Sequence, residues 1–112
     1  MASRKQNIER LRNLFDPMKY RSQDRHEFLK ELYEGLRDND LIDMDYFKHI
    51  GKGKENLLNK LNRVSEFTLE ECKTALTYIL RAEHWVGNSF EPNIKNRNVY
   101  NILTRMCELL DE

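Results

Sequence analysis

The sequence has 112 residues, of which 39% are hydrophobic and 34% charged, a composition typical of a polar but folded globular chain. A chain of this length suits one domain, because roughly two thirds of its unfolded surface can be buried on folding. Nineteen basic residues balance nineteen acidic ones, and this argues against a dedicated polyanion-binding protein and against an acidic mimic of nucleic acid.

Helical spacing of apolar residues predicts the first two helices. The first covers residues 3–15, where Ser3 and Gln6 have the spacing of a capping box. Asp16-Pro17 ends it, since the residue before a proline is disfavoured in a helix. The second covers residues 22–37 and carries one apolar stripe, formed by Phe28, Leu29, Leu32, Tyr33 and Leu36.

The middle of the chain predicts shorter elements. Asp38-Asn39-Asp40 is typical of a turn, and Asp43 has the residue type of an N-cap for a short helix over 44–50 that Gly51 closes. The stretch GKGKENLLNKLNRV predicts a loop and then a short helix.

Two longer helices are predicted after it. Thr68 with Glu71 forms a second capping box, and the helix that follows ends where Gly87 can adopt a left-handed conformation. The last helix runs from residue 96 or 97 to residue 110. We therefore predict an all-α fold, a compact single-domain bundle of five or six helices over residues 1–112. Residues 1–21 form a basic helix and its connection, and residues 22–112 form the core helices.

No membrane span, cofactor or metal site is predicted. No run approaches the roughly 18 apolar residues of a membrane helix, and the opening stretch MASRKQNIERLRNLF lacks the apolar region of a secretory signal. Cys72 and Cys107 fall on apolar helix faces and suit a reduced cytoplasm. His26, His49 and His84 are scattered without the spacing of metal ligands.

The stretch RAEHWVGNSF, residues 81–90, combines charged residues with the only tryptophan. Its position at a helix end explains a cation and a glycine there, and Trp85 is expected at the edge of the core. Arg81 and His84 can share a helix face, while Glu83 points elsewhere. No nucleophile stands beside them at a recognisable spacing, so we predict a protein that is not an enzyme.

A non-enzymatic cytoplasmic protein that binds or regulates a protein partner is the leading functional hypothesis, and the chain could also pair with a second copy. Polar and aromatic residues outside the apolar stripes would then contact the partner. Packing at the edge of the core is the competing explanation for each one. The predicted contact residues are Tyr20, Tyr46, Phe47, Arg81, His84 and Phe90.

Nucleic-acid binding is the alternative hypothesis. Residues 1–30 contain eight basic and four acidic residues, and the reverse bias holds over residues 31–50, with two basic and six acidic. A basic segment could contact phosphates, although no helix-turn-helix spacing accompanies it. The residues predicted for this role are Arg4, Lys5, Arg10, Arg12, Lys19, Arg21 and Arg25.

Residues 76–106 also resemble a family of small bacterial proteins, the domain of unknown function six-five-zero-eight. The resemblance rests on a leucine-rich helix that ends in Arg81, Glu83, His84, Trp85 and Gly87, followed by a helix with Ile102, Leu103 and Met106. The stretch FLKELYEGLRDNDLIDMDYF, residues 28–47, is similar to the upstream part of that family. The resemblance implies an all-helical fold and a bacterial, phage or other mobile-element origin, and it implies no activity.

Overall fold

The computed structural model of the protein describes residues 3–50, 57–85 and 90–110. These residues form α-helices and 3-10 segments without a β-strand, which confirms the predicted all-α class. A radius of gyration of 13.0 Å is that of a compact chain of this length. In the described residues, no helix has both the length and the apolar character to cross a membrane. The α-helices are α1 (Arg4–Leu14), α2 (Arg25–Asp38), α3 (Tyr46–Ile50), α4 (Leu69–Trp85), α5 (Phe90–Lys95) and α6 (Asn98–Leu109); 3-10 segments occupy Ser22–Asp24 and Leu57–Glu66.

Both predicted capping boxes are present. The backbone N–H of Gln6 donates to Ser3 Oγ (3.1 Å), and the Ser3 N–H donates to Gln6 Oε1 (2.9 Å). At α4, the Glu71 N–H donates to Thr68 Oγ1 (3.1 Å) and the Thr68 N–H to Glu71 Oε1 (3.0 Å). Each box satisfies two backbone donors that a helix start would otherwise leave without partners.

The core lies around α6, which packs against both α1 and α4. Helix α1 packs mainly on α6 and buries Ile8 and Leu11, and Phe15 after it is also fully buried. The basic first helix is thus a core element as well, although its sequence stands out for charge. The buried residues of α6 are all apolar, and they are Val99, Ile102, Leu103, Met106 and Cys107.

Helix α5 was not predicted, and α6 starts slightly later than expected. Only six residues form α5, too few for an apolar period to be visible, and Pro92 falls in its first turn, where a proline is tolerated. Arg97 separates α5 from α6 with a left-handed backbone (φ 69°). Gly51 and Gly87, the predicted helix ends, lie outside the described residues.

Candidate functional site: an exposed apolar and basic turn

Two of the predicted partner contacts belong to an aromatic cluster. The ring of Tyr20 meets Phe28 edge to face at 5.1 Å between centroids, and Phe15 contacts both Phe28 (5.3 Å) and Phe90 (6.2 Å) in the same way. Phe90 has no exposed surface. It is a core residue in this structure, and the edge-of-core explanation accounts for it.

The other described contact residues are Tyr46 and Arg81. Tyr46 in α3 lies 6.1 Å from the Tyr78 ring, whereas the exposed Arg81 places its guanidinium carbon 5.7 Å from the Tyr33 ring. The side chains of Phe47 and His84 lie outside the described residues. Each of the described contact residues packs against an aromatic ring of the protein.

Arg81 and Glu83 contact different residues in the described structure. Glu83 pairs with Arg25 (Oε1 to Nε, 3.5 Å), is only 10% exposed, and accepts a hydrogen bond from the Phe90 backbone N–H (3.4 Å). It connects α4 to α2 and to the start of α5, while Arg81 lies on Tyr33 of α2. These contacts give Arg81 and Glu83 separate packing roles at the end of α4.

Several residues of the predicted nucleic-acid surface contact other parts of the protein. Arg4 Nε donates to the Asn39 carbonyl (3.0 Å), Arg12 lies 5.9 Å from the Tyr100 ring centroid, and Arg25 pairs with Glu83. Lys5 is half-buried and also has an interaction partner. The exposed members of the set are Arg10, Lys19 and Arg21.

The turn after α1 presents an apolar side chain to solvent. Met18 is 91% exposed, and Leu14, four residues before it, is 42% exposed. Asp16 fixes the turn, because its Oδ1 accepts from the Met18 N–H (2.9 Å) and its carbonyl accepts from the Lys19 N–H (2.9 Å). Pro17 restricts the backbone further. We call Leu14, Met18, Lys19 and Arg21 the Met18 surface.

The Met18 surface is basic as well as apolar. Lys19 and Arg21 are exposed, and within the described residues neither forms an ion pair. A methionine adapts its shape to different apolar pockets, and the neighbouring cations attract acidic surfaces. This arrangement can bind another macromolecule without chemistry of its own.

A second polar site lies between α3 and α4. Asp43 Oδ2 accepts a hydrogen bond from Thr74 Oγ1 (2.5 Å) and pairs with His49 Nδ1 (2.8 Å), while its Oδ1 accepts from the Asp45 N–H (2.9 Å). Burial alone would raise the pKa of Asp43, but the hydrogen bonds from Thr74, His49 and Asp45 outweigh it and hold this pKa below its ordinary value.

His49 opens onto a pocket of about 350 Å³ that is also lined by Leu57, Glu70, Glu71 and Thr74. An aspartate on Nδ1 orients a histidine as it does in many general bases. Among the described lining residues, Thr74 alone carries a hydroxyl, and its Oγ1 hydrogen bonds to Asp43 and not to His49. The described contacts therefore attach α3 to α4 and do not form a nucleophile–base pair.

Neither metal ligation nor thiol chemistry is indicated in the described part of the chain. No group of three or more His, Cys, Asp or Glu residues there has the arrangement of a metal site. Cys72 and Cys107 are buried, and burial raises both pKa values, that of Cys72 to about 12. The reactive thiolate is therefore disfavoured.

Sequence reasoning did not single out Met18 or the Asp43–His49 pair. The signal for Met18 was an apolar residue directly after a helix-ending Asp-Pro, where no core contact is expected. Asp43 was predicted as the cap of a helix over 44–50, but α3 begins only at Tyr46, and the Asp43 carboxylate accepts from the Asp45 N–H in the turn before it. Its contact with Thr74, 31 residues away, depends on how α3 packs on α4.

Comparison of the chain with protein-family models, with curated proteins and with solved structures found no match. The resemblance to domain of unknown function six-five-zero-eight, with the bacterial or mobile-element origin that it implies, stays a prediction.

Proposed function

We propose that this is a cytoplasmic, non-enzymatic interaction protein that binds an acidic protein partner through the Met18 surface. The observation that carries the proposal is the 91% exposure of Met18 on a turn that Asp16 fixes through two hydrogen bonds. A fixed turn loses little conformational freedom on binding, so more of the contact energy remains as affinity.

The chemistry of the surface supports a protein partner. A methionine side chain contributes roughly 1.5–3 kcal/mol when it moves from water into an apolar pocket. Lys19 and Arg21 would orient an acidic partner and speed its association. A partner with an apolar pocket and acidic residues around it complements both properties.

The proposal is tested by differential capture from a bacterial extract with the full-length protein. We expect an acidic protein to be retained by the wild type and by Met44→Ser but not by Met18→Ser. Met44 is the matched control, because it is 81% exposed and next to the exposed Asp45 instead of basic residues. With the purified partner, Met18→Ser should weaken binding roughly tenfold or more.

Two further measurements complete the test: binding by the charge-reversal variant Lys19→Glu, and sedimentation of the wild type and Met18→Ser to give their oligomeric states. Lys19→Glu should weaken binding at low salt, and the difference from wild type should shrink as salt screens it. A partner that binds Met18→Ser as tightly as wild type would contradict the proposal. A wild-type dimer that Met18→Ser converts to a monomer would also overturn it, since the occupant would then be a second copy of this chain.

A further inference from the structure

Two arginines on different elements approach one tyrosine ring. The guanidinium carbon of Arg97, at the start of α6, lies 4.8 Å from the Tyr100 ring centroid, and that of Arg12 in α1 lies 5.9 Å from it. The two carbons can be no farther apart than the sum of these distances. We propose that Arg12, Arg97 and Tyr100, here called the Tyr100 cluster, bind the phosphate group of a ligand.

No carboxylate neutralises these two cations within the described residues. Neither Arg12 nor Arg97 forms an ion pair there, and the first turn of α6 has no acidic residue. Glu9 lies one turn before Arg12, and both side chains interact electrostatically with Cys107. Within the described residues, Glu9 forms no ion pair with Arg12 or Arg97. Two cations held close to one ring repel each other, and an anion between or beside them removes that repulsion.

The hydrogen-bonding capacity of Arg12 is only partly used by the described residues. Its Nε is buried and forms no hydrogen bond with them, and its Nη2 donates one long hydrogen bond to Asn13 Oδ1 (3.4 Å). Because the Nε is enclosed, a phosphate would contact this guanidinium through its other N–H groups. A phosphate oxygen is the acceptor that a guanidinium binds best, often through two parallel N–H groups.

A second tyrosine with two arginines provides an internal comparison. Arg37 and Arg81 lie 5.6 Å and 5.7 Å from the Tyr33 ring centroid, so the cation–π geometry is similar to that at Tyr100. There, however, Arg37 pairs with Asp38 (Nε to Oδ1, 3.3 Å). A carboxylate of the protein already serves one of those arginines, and this is why the Tyr100 cluster is the one assigned to an external anion.

The ligand class is a phosphate ester, and it has two sources. With both guanidinium groups on one face of the Tyr100 ring, one phosphate of a mononucleotide would contact both; with one group on each face, neighbouring phosphates of a single-stranded oligonucleotide would contact one each. None of the three residues belongs to the Met18 surface, so this inference does not depend on the proposed protein partner.

The test follows the arginine side-chain Nε–H signals of the full-length ¹⁵N-labelled protein by NMR. Inorganic phosphate, thymidine monophosphate and a thymidine decanucleotide are titrated separately at low salt. We expect saturable shifts at Arg12 and Arg97 and smaller ones at Arg81. Arg97→Gln should weaken binding by about tenfold, because it removes a charge-assisted hydrogen bond, while Arg81→Gln should leave the affinity unchanged.

The outcomes distinguish a mononucleotide from a single-stranded oligonucleotide as the ligand, and some of them would contradict the inference. Binding of the monophosphate and the decanucleotide with similar affinity identifies a site for one phosphate, and binding of the decanucleotide alone identifies a strand. For a strand, Arg97→Gln should lower the slope of log affinity against log salt by about one. No saturable shift with any of the three probes, or equal losses from Arg97→Gln and Arg81→Gln, would overturn the inference. Met18→Ser should leave all of these titrations unchanged.

Discussion

The carboxylate of Asp43 joins three parts of the chain. It is 10% exposed, and it receives hydrogen bonds from Thr74 in α4, from the Asp45 backbone and from His49 at the end of α3. The Asp43 N–H in turn donates to Thr77 Oγ1 (3.1 Å). Because α3 has only five residues and would not be stable alone, these contacts help to hold it on α4 together with the packing of Ile50 and Tyr46.

Asp43→Asn keeps the shape of this side chain and removes its charge. The folded protein holds the pKa of Asp43 below its ordinary value, so the unfolded chain takes up the proton more readily. The stabilisation is therefore complete above the unfolded pKa and is lost as pH falls through the folded one. We expect Asp43→Asn to cost about 1–3 kcal/mol at pH 7 in urea unfolding experiments. The two free energies of unfolding should still differ at pH 5 and should converge only as pH falls from about 3.9, the unfolded value, through the lower pKa of the folded state.

Asp45→Asn is the matched control for that experiment. Asp45 is exposed two residues away, and only its backbone groups take part in the described hydrogen bonds. It should change the unfolding free energy by less than about 0.5 kcal/mol. An equal loss in both variants, or a difference from wild type that persists unchanged at low pH, would show that the Asp43 contacts do not stabilise the fold.

The packing of α1 against α2 depends on the absence of a side chain at Gly35. A methyl group at this position would lie 2.8 Å from Cδ2 of Leu11, closer than carbon atoms can approach without movement. Leu11 is 5% exposed, so it has little room to turn away. The glycine therefore allows a close approach of two helices, at the expense of helix propensity.

This contact predicts that the effect of Gly35→Ala on stability changes sign between the wild type and the Leu11→Ala variant. In the wild type, Gly35→Ala gains about 1 kcal/mol of helix propensity and loses about 1–3 kcal/mol to overpacking, so it should be neutral to destabilising. Leu11→Ala alone should cost about 2–5 kcal/mol. In that background, Gly35→Ala should stabilise the protein by about 1 kcal/mol, since Leu11 no longer opposes the methyl group. Unfolding free energies of the four proteins give the coupling, and strictly additive effects would contradict it.

The elements that could be predicted from the sequence are those with local signals. The capping boxes at Ser3 and Thr68 need only residues three apart, and both helices begin there. The 3-10 segment Leu57–Glu66 was predicted as an ordinary short helix because its leucines have a helical period. Its non-helical backbone at Arg63 (φ −124°) has no local sequence signal.

At the scale of the whole molecule, prediction of sites was limited by contacts between distant residues. Net charge, the apolar stripes and the lack of metal-ligand spacing can be read directly from the sequence. The pairing of Arg25 with Glu83, or of Arg4 with the Asn39 carbonyl, depends on how helices pack. Those contacts use basic residues that the sequence alone placed on a nucleic-acid surface. The exposure of Met18 likewise follows from its place in the assembled fold.

The two buried thiols can report how the whole core opens. Cys72 lies in α4 and is 0% exposed, and Cys107 lies in α6 and is 4% exposed. Burial raises the pKa of both thiols, so neither should react with a disulfide reagent until its helix leaves the core. We predict slow modification in the native protein and fast modification after unfolding in urea.

Single-cysteine variants separate local from global opening. In Cys107→Ala, the reactivity of Cys72 reports α4, and in Cys72→Ala the reactivity of Cys107 reports α6. If α4 and α6 form one cooperative core, both modification rates should rise with urea at the slope of global unfolding. A Cys107 rate that does not depend on urea would instead show that α6 frays alone. Helix α1 packs mainly on α6. If α6 frays alone, α1 therefore loses its main packing partner before the rest of the core unfolds.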